Sequence, residues 1–121
     1  MSDPIDQALH TDMVIDITTI GRHSGQARRI EIWFHNLAGQ LYITGLPGKR
    51  DWYANMVAEP NFTFHLKDSL QTDIPARARP IHAEAERRRV MAQIIAKLGG
   101  ERDLAAWVAG SPLVEVTLDR S

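Results

Sequence analysis

The sequence predicts an α+β domain in which about six mostly antiparallel strands close into a small barrel, with three short helices around it. Three observations lead to this fold. Apolar and polar residues alternate in several short segments, as they do in strands with one buried face. Tight turns rather than helical crossovers join the first strands, which argues against a parallel sheet. One later segment has the apolar spacing of an amphipathic helix.

The composition is that of one globular domain. The chain has 121 residues, of which 44% are hydrophobic and 24% charged, and its net charge is −1. Nothing global therefore indicates binding to nucleic acid or to an anionic membrane. The sequence has no cysteine, which excludes disulfides and thiolate metal ligands within it. No signal-peptide pattern or bilayer-length apolar run is present, so a cytoplasmic location is expected.

The chain divides into an N-terminal arm, residues 1–12, and a barrel domain, residues 13–121. The arm is expected to be a short helical turn or a loose segment. β-Branched residues predict the first strand at 13–20, and alternation of apolar with polar residues predicts the second at 28–36. A turn that contains glycine returns the chain as a third strand at 41–45. The domain therefore opens as a meander.

Helices and strands follow one another in the rest of the chain. Pro47 and Gly48 end the meander, and a helix is predicted at 51–60 with Asp51 as a candidate N-cap. Residues 83–100 form the clearest predicted helix, because their apolar positions recur with helical spacing and glycines follow its end. The remaining predicted elements are strands at 61–67, 74–82 and 112–119 and a helix at 102–110.

A basic turn, TTIGRHSGQARR at 18–29, is unusual in a nearly neutral protein. Backbone amides at a glycine-bounded turn can converge on an anion, and Ser24 adds a hydroxyl. Arg22 and Arg28 supply guanidinium groups that suit a phosphate or a carboxylate. Arg28 and Arg29 face opposite sides of a strand, so only some of the arginines can reach one ligand. The alternative is a solvated hairpin whose arginines balance nearby acids.

A second loop, TGLPGKRDWY at 44–53, leaves a strand and enters a helix. Its amides and the helix N-terminus favour anions or acceptor oxygens. Lys49 and Arg50 add positive charge, and Trp52 and Tyr53 add flat apolar surface. This combination suits a polar heterocycle that carries a phosphate. The alternative is a capped helix whose aromatic residues belong to the core.

The five histidines show no metal-ligand spacing. His35 and His65 lie on strand faces opposite the main apolar residues, and both are expected to be surface or lining residues. A triad of Ser24, a histidine and Asp51 has no nucleophile motif to support it. Neither a metal site nor hydrolysis is therefore predicted.

The order of these segments resembles the deazaflavin-dependent nitroreductase family, within the split β-barrel flavin and deazaflavin oxidoreductases of pyridoxamine-phosphate-oxidase-like fold. The stretches that carry the resemblance are TTIGRHSGQARR, YITGLPGKRDWYANMVAEPN and the closing SPLVEVTL. Members share a TTxGRxSGxxR-like turn, a glycine-bearing loop and a tryptophan-tyrosine helix start. The resemblance covers nearly the whole chain from Met13 onward. It implies a split β-barrel that commonly forms a homodimer.

The resemblance implies an oxidoreductase that passes a hydride from a reduced deazaflavin, coenzyme F-420, to an electron-poor acceptor such as a quinone, an enone or a nitro compound. FMN is the alternative cofactor. The cofactor phosphate would lie against Arg22, Ser24, Gly25 and Arg28, and Tyr53 is either the proton donor or a packing residue. The residues expected to line or support the ring are Thr44, Gly45, Leu46, Pro47, Gly48, Lys49, Arg50 and Trp52.

Two features differ from the family pattern. The GLPGKRD loop is compact where family loops often carry a longer insert, and the N-terminal arm is short. The alternative function is a non-catalytic flavin-, haem- or tetrapyrrole-binding protein, or a cofactor carrier, because one barrel hosts many functions. A third possibility is a structural dimer without a working pocket.

Overall fold

The structure is a computed structural model that describes residues 3–120. Residues 1 and 2 of the predicted arm and residue 121 of the predicted domain lie outside the described residues. The strands are β1 (Val14–Ile20), β2 (Ala27–Leu37), β3 (Gln40–Thr44), β4 (Asn61–Leu66), β5 (Thr72–Pro80) and β6 (Leu113–Leu118). The helices are α1 (Pro4–Thr11), α2 (Asp51–Ala58), α3 (Glu84–Leu98) and α4 (Leu104–Gly110).

The strands close into a barrel in the order β1-β2-β3-β6-β5-β4. Every neighbouring pair is antiparallel, which confirms the predicted α+β barrel. The first two hairpins turn at Gly25 and Gly39, whose φ angles are +71° and +94°. Glycine enters this backbone region without the steric cost of a Cβ atom. Element ends differ from the prediction by no more than about two residues, the range over which strand and helix ends fray.

The described part of the chain contains four helices where the sequence predicts three, because most of the arm folds as α1. Asp3 caps this helix by accepting hydrogen bonds from the amides of Ile5 and Asp6, at 2.7 and 3.2 Å. Ala8 and Leu9 are buried in the barrel core. A helix this short is stable only with such packing, which the sequence pattern alone does not reveal.

Apolar side chains from the inward faces of the strands fill the barrel. At its centre Phe34 packs edge-to-face on Phe64, with ring centroids 5.3 Å apart. Both rings are almost completely buried. Other fully buried residues of this core include Ile15, Ile17, Ile43, Met56 and Leu66. The core fixes β1 and α2, which carry the candidate site, against each other.

A second apolar cluster lies outside the barrel, under α3 and α4. It contains Tyr42 of β3 together with Met91 and Trp107 of the two helices. His35 pairs in register with Tyr42 and is only 4% exposed, so the expectation of a surface or lining residue is wrong. Burial, together with the smaller effect of the positive charge of Lys97, lowers the pKa of His35 from 6.5 to about 4.

His65 is also buried, at 5% exposure, and the same expectation is wrong for it. Its Nδ1 lies 2.6 Å from Asp73 Oδ1, and its Nε2 lies 2.7 Å from Thr18 Oγ1. The hydrogen bond from His65 holds the pKa of Asp73 below its usual value. This histidine therefore connects β4 to β5 and β1, because each ring nitrogen has a partner on a neighbouring strand.

Strand β2 changes partner halfway along its length. Residues 27–33 pair with β1, whereas residues 34–37 pair with β3. One edge of 27–33 therefore has no strand partner among the described residues. Ile30 and Trp33 on this segment are 39% and 50% exposed, although Trp52 and Trp107 are buried. The barrel thus leaves apolar surface and a free strand edge on the same segment.

Candidate functional site

Two grooves meet beside the N-terminus of α2. The larger, which we call the loop groove, has a volume of about 870 Å³. The smaller, which we call the turn groove, has a volume of about 500 Å³. The loop groove is lined by Arg22, Gly48, Lys49, Arg50, Asp51, Tyr53, Ala54, Ile81, His82, Arg87, Ala109, Gly110, Ser111 and Pro112. The turn groove is lined by Thr19, Gly21, Arg22, His23, Ser24, Arg28, Ile30, Asp51, Trp52 and Asn55.

Arg22 and Asp51 line both grooves and join them. Arg22 Nη2 lies 3.3 Å from Asp51 Oδ1. The Asp51 side chain is 92% exposed, so this ion pair contributes little to stability. Its importance is its position, because a ligand long enough to occupy both grooves must pass it.

The basic turn is closed by hydrogen bonds within itself. The amide of Gly21 donates to the carbonyl of Gln26, and the amide of Gly25 donates to the carbonyl of Gly21, both at 2.8 Å. The amide of Gln26 donates to Ser24 Oγ at 3.1 Å. These bonds use most of the amides that an anion-binding concavity would need. An anion at the turn groove would therefore meet mainly side chains.

Asn55 anchors the basic turn to α2. Its Oδ1 accepts hydrogen bonds from the backbone amide and from Nη1 of Arg22, at 3.1 and 2.9 Å. Its Nδ2 donates to Thr19 Oγ1 at 3.3 Å. Asn55 is 4% exposed. Asn55 was not predicted from the sequence, although a polar side chain three positions after Trp52 on the buried face of a helix is a signal of such a role.

Arg28 and Arg29 point to opposite faces of β2, as strand alternation predicts. Arg29 Nε donates to Asp16 Oδ2 at 2.9 Å on the outer face. Arg28 lines the turn groove, and its guanidinium has no hydrogen-bond or salt-bridge partner within residues 3–120. Asp16 also accepts a hydrogen bond from Lys67, and Lys67 and Arg29 together hold the pKa of this carboxyl below its usual value. One arginine is thus part of an ion network, and the other is free for a ligand.

The loop between β3 and α2 is held by Arg50. Its Nη1 donates to the carbonyl of Lys49 at 2.9 Å, and its Nη2 donates to the carbonyl of Leu46 at 3.1 Å. Arg50 also occupies the N-cap position of α2, where no side chain accepts a hydrogen bond, so the prediction of Asp51 as N-cap is wrong. The physical reason is that Asp51 already has helical position N1, from which its carboxylate pairs with Arg22.

Gly48 brings this loop against α4. Its φ angle is +134°, and its amide donates to the carbonyl of Gly110 at 3.0 Å. A Cβ atom at Gly48 would lie 3.0 Å from Arg50 Nη1. A Cβ atom at Gly110 would lie 3.3 Å from Pro47 Cβ. A side chain at either glycine would crowd the close approach that forms one end of the loop groove, and the positive φ of Gly48 disfavours one there in addition.

Arg87 fixes the opposite wall of the loop groove. Its guanidinium donates to the carbonyl oxygens of Ile81, Val108 and Ser111, at 2.9, 2.7 and 2.6 Å. All three acceptors are neutral, so the positive charge of Arg87 stays beside the groove. Arg87 was not predicted from the sequence, because its partners lie up to 24 positions away along the chain.

The loop groove is positively charged on a protein with a net charge of −1. Arg22, Lys49, Arg50 and Arg87 line it, and Asp51 is its single carboxylate. The ammonium group of Lys49 has no hydrogen-bond or salt-bridge partner in the described part of the chain. This excess of cations favours a ligand with anionic or electron-rich oxygen atoms.

A family model described as F420H(2)-dependent quinone reductase matches residues 4–118. The chain belongs to this family. The match confirms the predicted relationship to the deazaflavin oxidoreductases, and the family description indicates an oxidoreductase that uses the deazaflavin F420. No curated protein matches the sequence.

The solved structures that are similar to this member of the F420H(2)-dependent quinone reductase family include the following three. An F420 reductase is 15% identical, with a TM-score of 0.67 over 98% of this chain and 96% of that chain. A conserved hypothetical protein from Mycobacterium tuberculosis is 17% identical, with a TM-score of 0.73 over 99% and 82%. The haem storage protein HutZ from Vibrio cholerae is 11% identical, with a TM-score of 0.71 over 97% and 89%. At these identities the likeness shows the fold alone.

The predicted site residues fall into three groups in this quinone reductase family member. Those that line the turn groove are Arg22, Ser24, Arg28 and Trp52. Those that line the loop groove are Arg22, Gly48, Lys49, Arg50 and Tyr53. Those that line neither groove are Gly25, Thr44, Gly45, Leu46 and Pro47. Thr44 is buried and donates to the carbonyl of Pro112 at 2.6 Å, so its hydroxyl is used inside the protein.

No helix within residues 3–120 has both the length and the apolar character needed to cross a membrane. No group of three or more histidine, aspartate or glutamate side chains in the same residues is arranged to hold a metal ion.

Proposed function

We propose that this protein binds a reduced deazaflavin across the two grooves and passes a hydride to an electron-poor acceptor such as a quinone, an enone or a nitro compound. The observation that carries the proposal is the continuity of the grooves through Arg22 and Asp51, with one unpaired cation in each groove among the described residues, Arg28 and Lys49. The family match supports the cofactor class. FMN remains the alternative cofactor.

The turn groove is the proposed phosphate site. Arg28 is free to form a charge-assisted hydrogen bond to a phosphate oxygen. Arg22 is held in place by Asn55 and keeps a further guanidinium edge beside the groove. The Ser24 hydroxyl accepts from Gln26 and still has its own hydrogen to donate. These side chains can bind an anionic group even though the backbone amides of the turn are mostly used within it.

The loop groove is the proposed site of the ring. Arg50 keeps the loop rigid through its bonds to two loop carbonyls, and Gly48 allows the loop to approach α4. The N-terminal turn of α2 has no side-chain cap and opens beside the groove, where its amides favour acceptor oxygens. When bound, the reduced deazaflavin supplies the hydride, and the protein supplies position and shielding from water.

Tyr53 is the proposed proton donor to the reduced acceptor. It lines the loop groove, and its ring packs edge-on against Trp52 with centroids 6.0 Å apart. Tyr53→Phe keeps this packing and removes only the hydroxyl. A lower kcat with unchanged cofactor affinity supports the role of a general acid. An unchanged kcat assigns Tyr53 to packing.

A homodimer is proposed from the exposed segment of β2. Its free edge at 27–33 and the exposed side chains of Ile30 and Trp33 offer the kind of surface that a second copy covers. Ile30 also lines the turn groove, so the second copy would border the phosphate site. Light scattering should give a particle of about twice 13.6 kDa, and Trp33→Lys should give the monomer. A wild-type particle of 13.6 kDa excludes this proposal.

The matched variants Arg28→Ala and Arg29→Ala test the function. Purified protein is titrated with oxidised F420, FMN, FAD and haem, and binding is followed by fluorescence or absorbance. Arg28→Ala should weaken deazaflavin binding by about 1.5–3 kcal/mol, roughly ten- to a hundred-fold, with little change in stability. Arg29→Ala should leave affinity unchanged, because its guanidinium pairs with Asp16 on the other face.

A turnover assay distinguishes an oxidoreductase from a protein that only carries the cofactor. Reduced deazaflavin is mixed with menadione or a nitroarene, and its oxidation is followed with and without protein. Acceptor-dependent turnover above the uncatalysed rate supports the proposal. Tight binding without turnover across quinones, enones and nitro compounds indicates a cofactor carrier. Preferential binding of haem indicates a haem-binding protein on the same fold.

A further inference from the structure

A residue that lines the loop groove, Ser111, carries a hydroxyl that has no hydrogen-bond partner in residues 3–120. Ser111 lines the groove and is 4% exposed, and its Oγ is a buried oxygen without a hydrogen bond. Buried hydroxyl groups in folded proteins are almost always paired, because an unpaired one keeps the full cost of losing water. The unpaired hydroxyl of Ser111 therefore indicates that a hydrogen-bond partner binds beside it.

Residues 3–120 do not supply that partner. The amide of Ser111 donates to the carbonyl of Trp107 at 3.0 Å, and its carbonyl accepts from Arg87 at 2.6 Å. The carbonyl of the next residue, Pro112, already accepts from Thr44 Oγ1 at 2.6 Å. Both backbone groups of Ser111 are thus fixed, and only rotation about its Cα–Cβ bond is left to direct the hydroxyl.

The place of Ser111 in the fold connects it to the proposed ring site. It directly follows Gly110, whose carbonyl accepts from the amide of Gly48 at 3.0 Å. Arg87 and Lys49 line the same groove, and the carbonyl partners of Arg87 leave its charge unneutralised. A ligand atom beside Ser111 is therefore favoured if it carries partial negative charge.

We infer that Ser111 donates a hydrogen bond to a carbonyl oxygen of the molecule that occupies the loop groove. This inference rests on the proposed function, which supplies two sources of such an oxygen: a ring carbonyl of the deazaflavin or a carbonyl of a quinone acceptor. In the second case the quinone gains a hydride with its two electrons, the deazaflavin is oxidised, and the quinone oxygen is anionic until it takes a proton. A donor at that oxygen stabilises the developing charge.

Ser111→Ala tests the inference, with Ser69→Ala as the matched control. Ser69 lies outside both grooves and donates to Asp12 at 3.0 Å. The measurements are the melting temperature without ligand, the Kd for oxidised F420 and kcat/KM for menadione. Removing an unpaired hydroxyl should leave the melting temperature unchanged or raised, whereas removing a paired one lowers it.

The measurements distinguish a hydrogen bond to the deazaflavin carbonyl from one to the quinone carbonyl. If Ser111 bonds the cofactor, Ser111→Ala should raise the Kd for oxidised F420 by about three- to ten-fold. If it bonds the acceptor, the Kd should stay constant and kcat/KM for menadione should fall by about the same factor. An active wild type whose Ser111→Ala variant changes neither quantity, or whose variant only melts earlier, overturns the inference alone. A wild type that neither binds F420 nor turns over overturns the proposed function and this inference together.

Discussion

Asn55→Ala should both destabilise the protein and weaken cofactor binding, because Asn55 holds the basic turn on α2. The substitution removes three hydrogen bonds, two from Arg22 and one to Thr19. Neutral bonds contribute about 0.5–1.5 kcal/mol each, and the bond from a guanidinium contributes somewhat more. Because the Arg22 side chain is 31% exposed, water replaces part of that contribution. We therefore expect a loss of about 2–4 kcal/mol in the free energy of unfolding.

For a chain of this length such a loss lowers the melting temperature by roughly 10 °C, which calorimetry resolves easily. Arg22 without Asn55 should move away from the junction of the two grooves. Deazaflavin affinity should then fall about ten-fold beyond what partial unfolding explains, measured well below the melting temperature. Asn55→Asp keeps the oxygen that faces Arg22 and loses only the donor to Thr19.

The pair of variants separates the two effects. Asn55→Asp should lose stability but retain most of the affinity, since Arg22 stays in place. A variant Asn55→Ala that melts like the wild type would show that these three hydrogen bonds do not anchor the turn. Normal cofactor affinity in a destabilised Asn55→Ala would show that the position of Arg22 does not matter for binding.

Three further predictions concern buried histidine, acid stability and the loop. His35 has a folded pKa of about 4 against 6.5 when unfolded, so the unfolded state takes up its proton first and stability falls as the pH drops from 6.5 to 4. The difference in urea-unfolding free energy between wild type and His35→Leu should change by about 3 kcal/mol over that window, and a constant difference contradicts the burial argument. The pKa of Asp16 is lowered from 3.8 by Lys67 and Arg29, so its contribution to the free energy of unfolding is present above pH 3.8 and is lost as the pH falls below that value. Asp16→Asn should therefore reduce the dependence of the unfolding free energy on pH only below pH 3.8. Gly48→Val should cost on the order of 1–3 kcal/mol in loop stability, because φ is +134° and its Cβ would crowd Arg50. It should weaken deazaflavin binding, and an unchanged titration would place the ring elsewhere.

The strand meander was predictable from the sequence because its signals are local. Alternation of apolar and polar residues sets which face of a strand is buried, and Gly39 marks a turn that needs a positive φ. The opposite directions of Arg28 and Arg29 follow from the same period of two. The basic turn and the glycine loop were likewise recognisable, since each is a continuous stretch of sequence.

The burial and the hydrogen-bond partners of individual polar residues could not be predicted from the local sequence. Alternation placed His35 on the outer face of β2 correctly, but α3 covers that face, so the residue is buried. Arg50 carries a charge suited to a phosphate, yet its side chain folds back on the carbonyls of its own loop. Secondary-structure propensity and the spacing of apolar residues predict the direction in which a side chain points. They do not predict which other helix, strand or loop packs against that side chain.

The sequence by itself determined the barrel, its order of strands along the chain, and the two stretches that carry the candidate site. Tertiary structure alone decided that these stretches lie side by side at Arg22 and Asp51, and that Asn55, Arg87 and Ser111 belong with them. The reason is that hydrogen bonds such as those of Arg87 join α3 to the residue after β5, to α4 and to the segment before β6, whose proximity exists only after the barrel has closed. A pattern along the chain encodes secondary structure, whereas a site is made by contacts between distant segments.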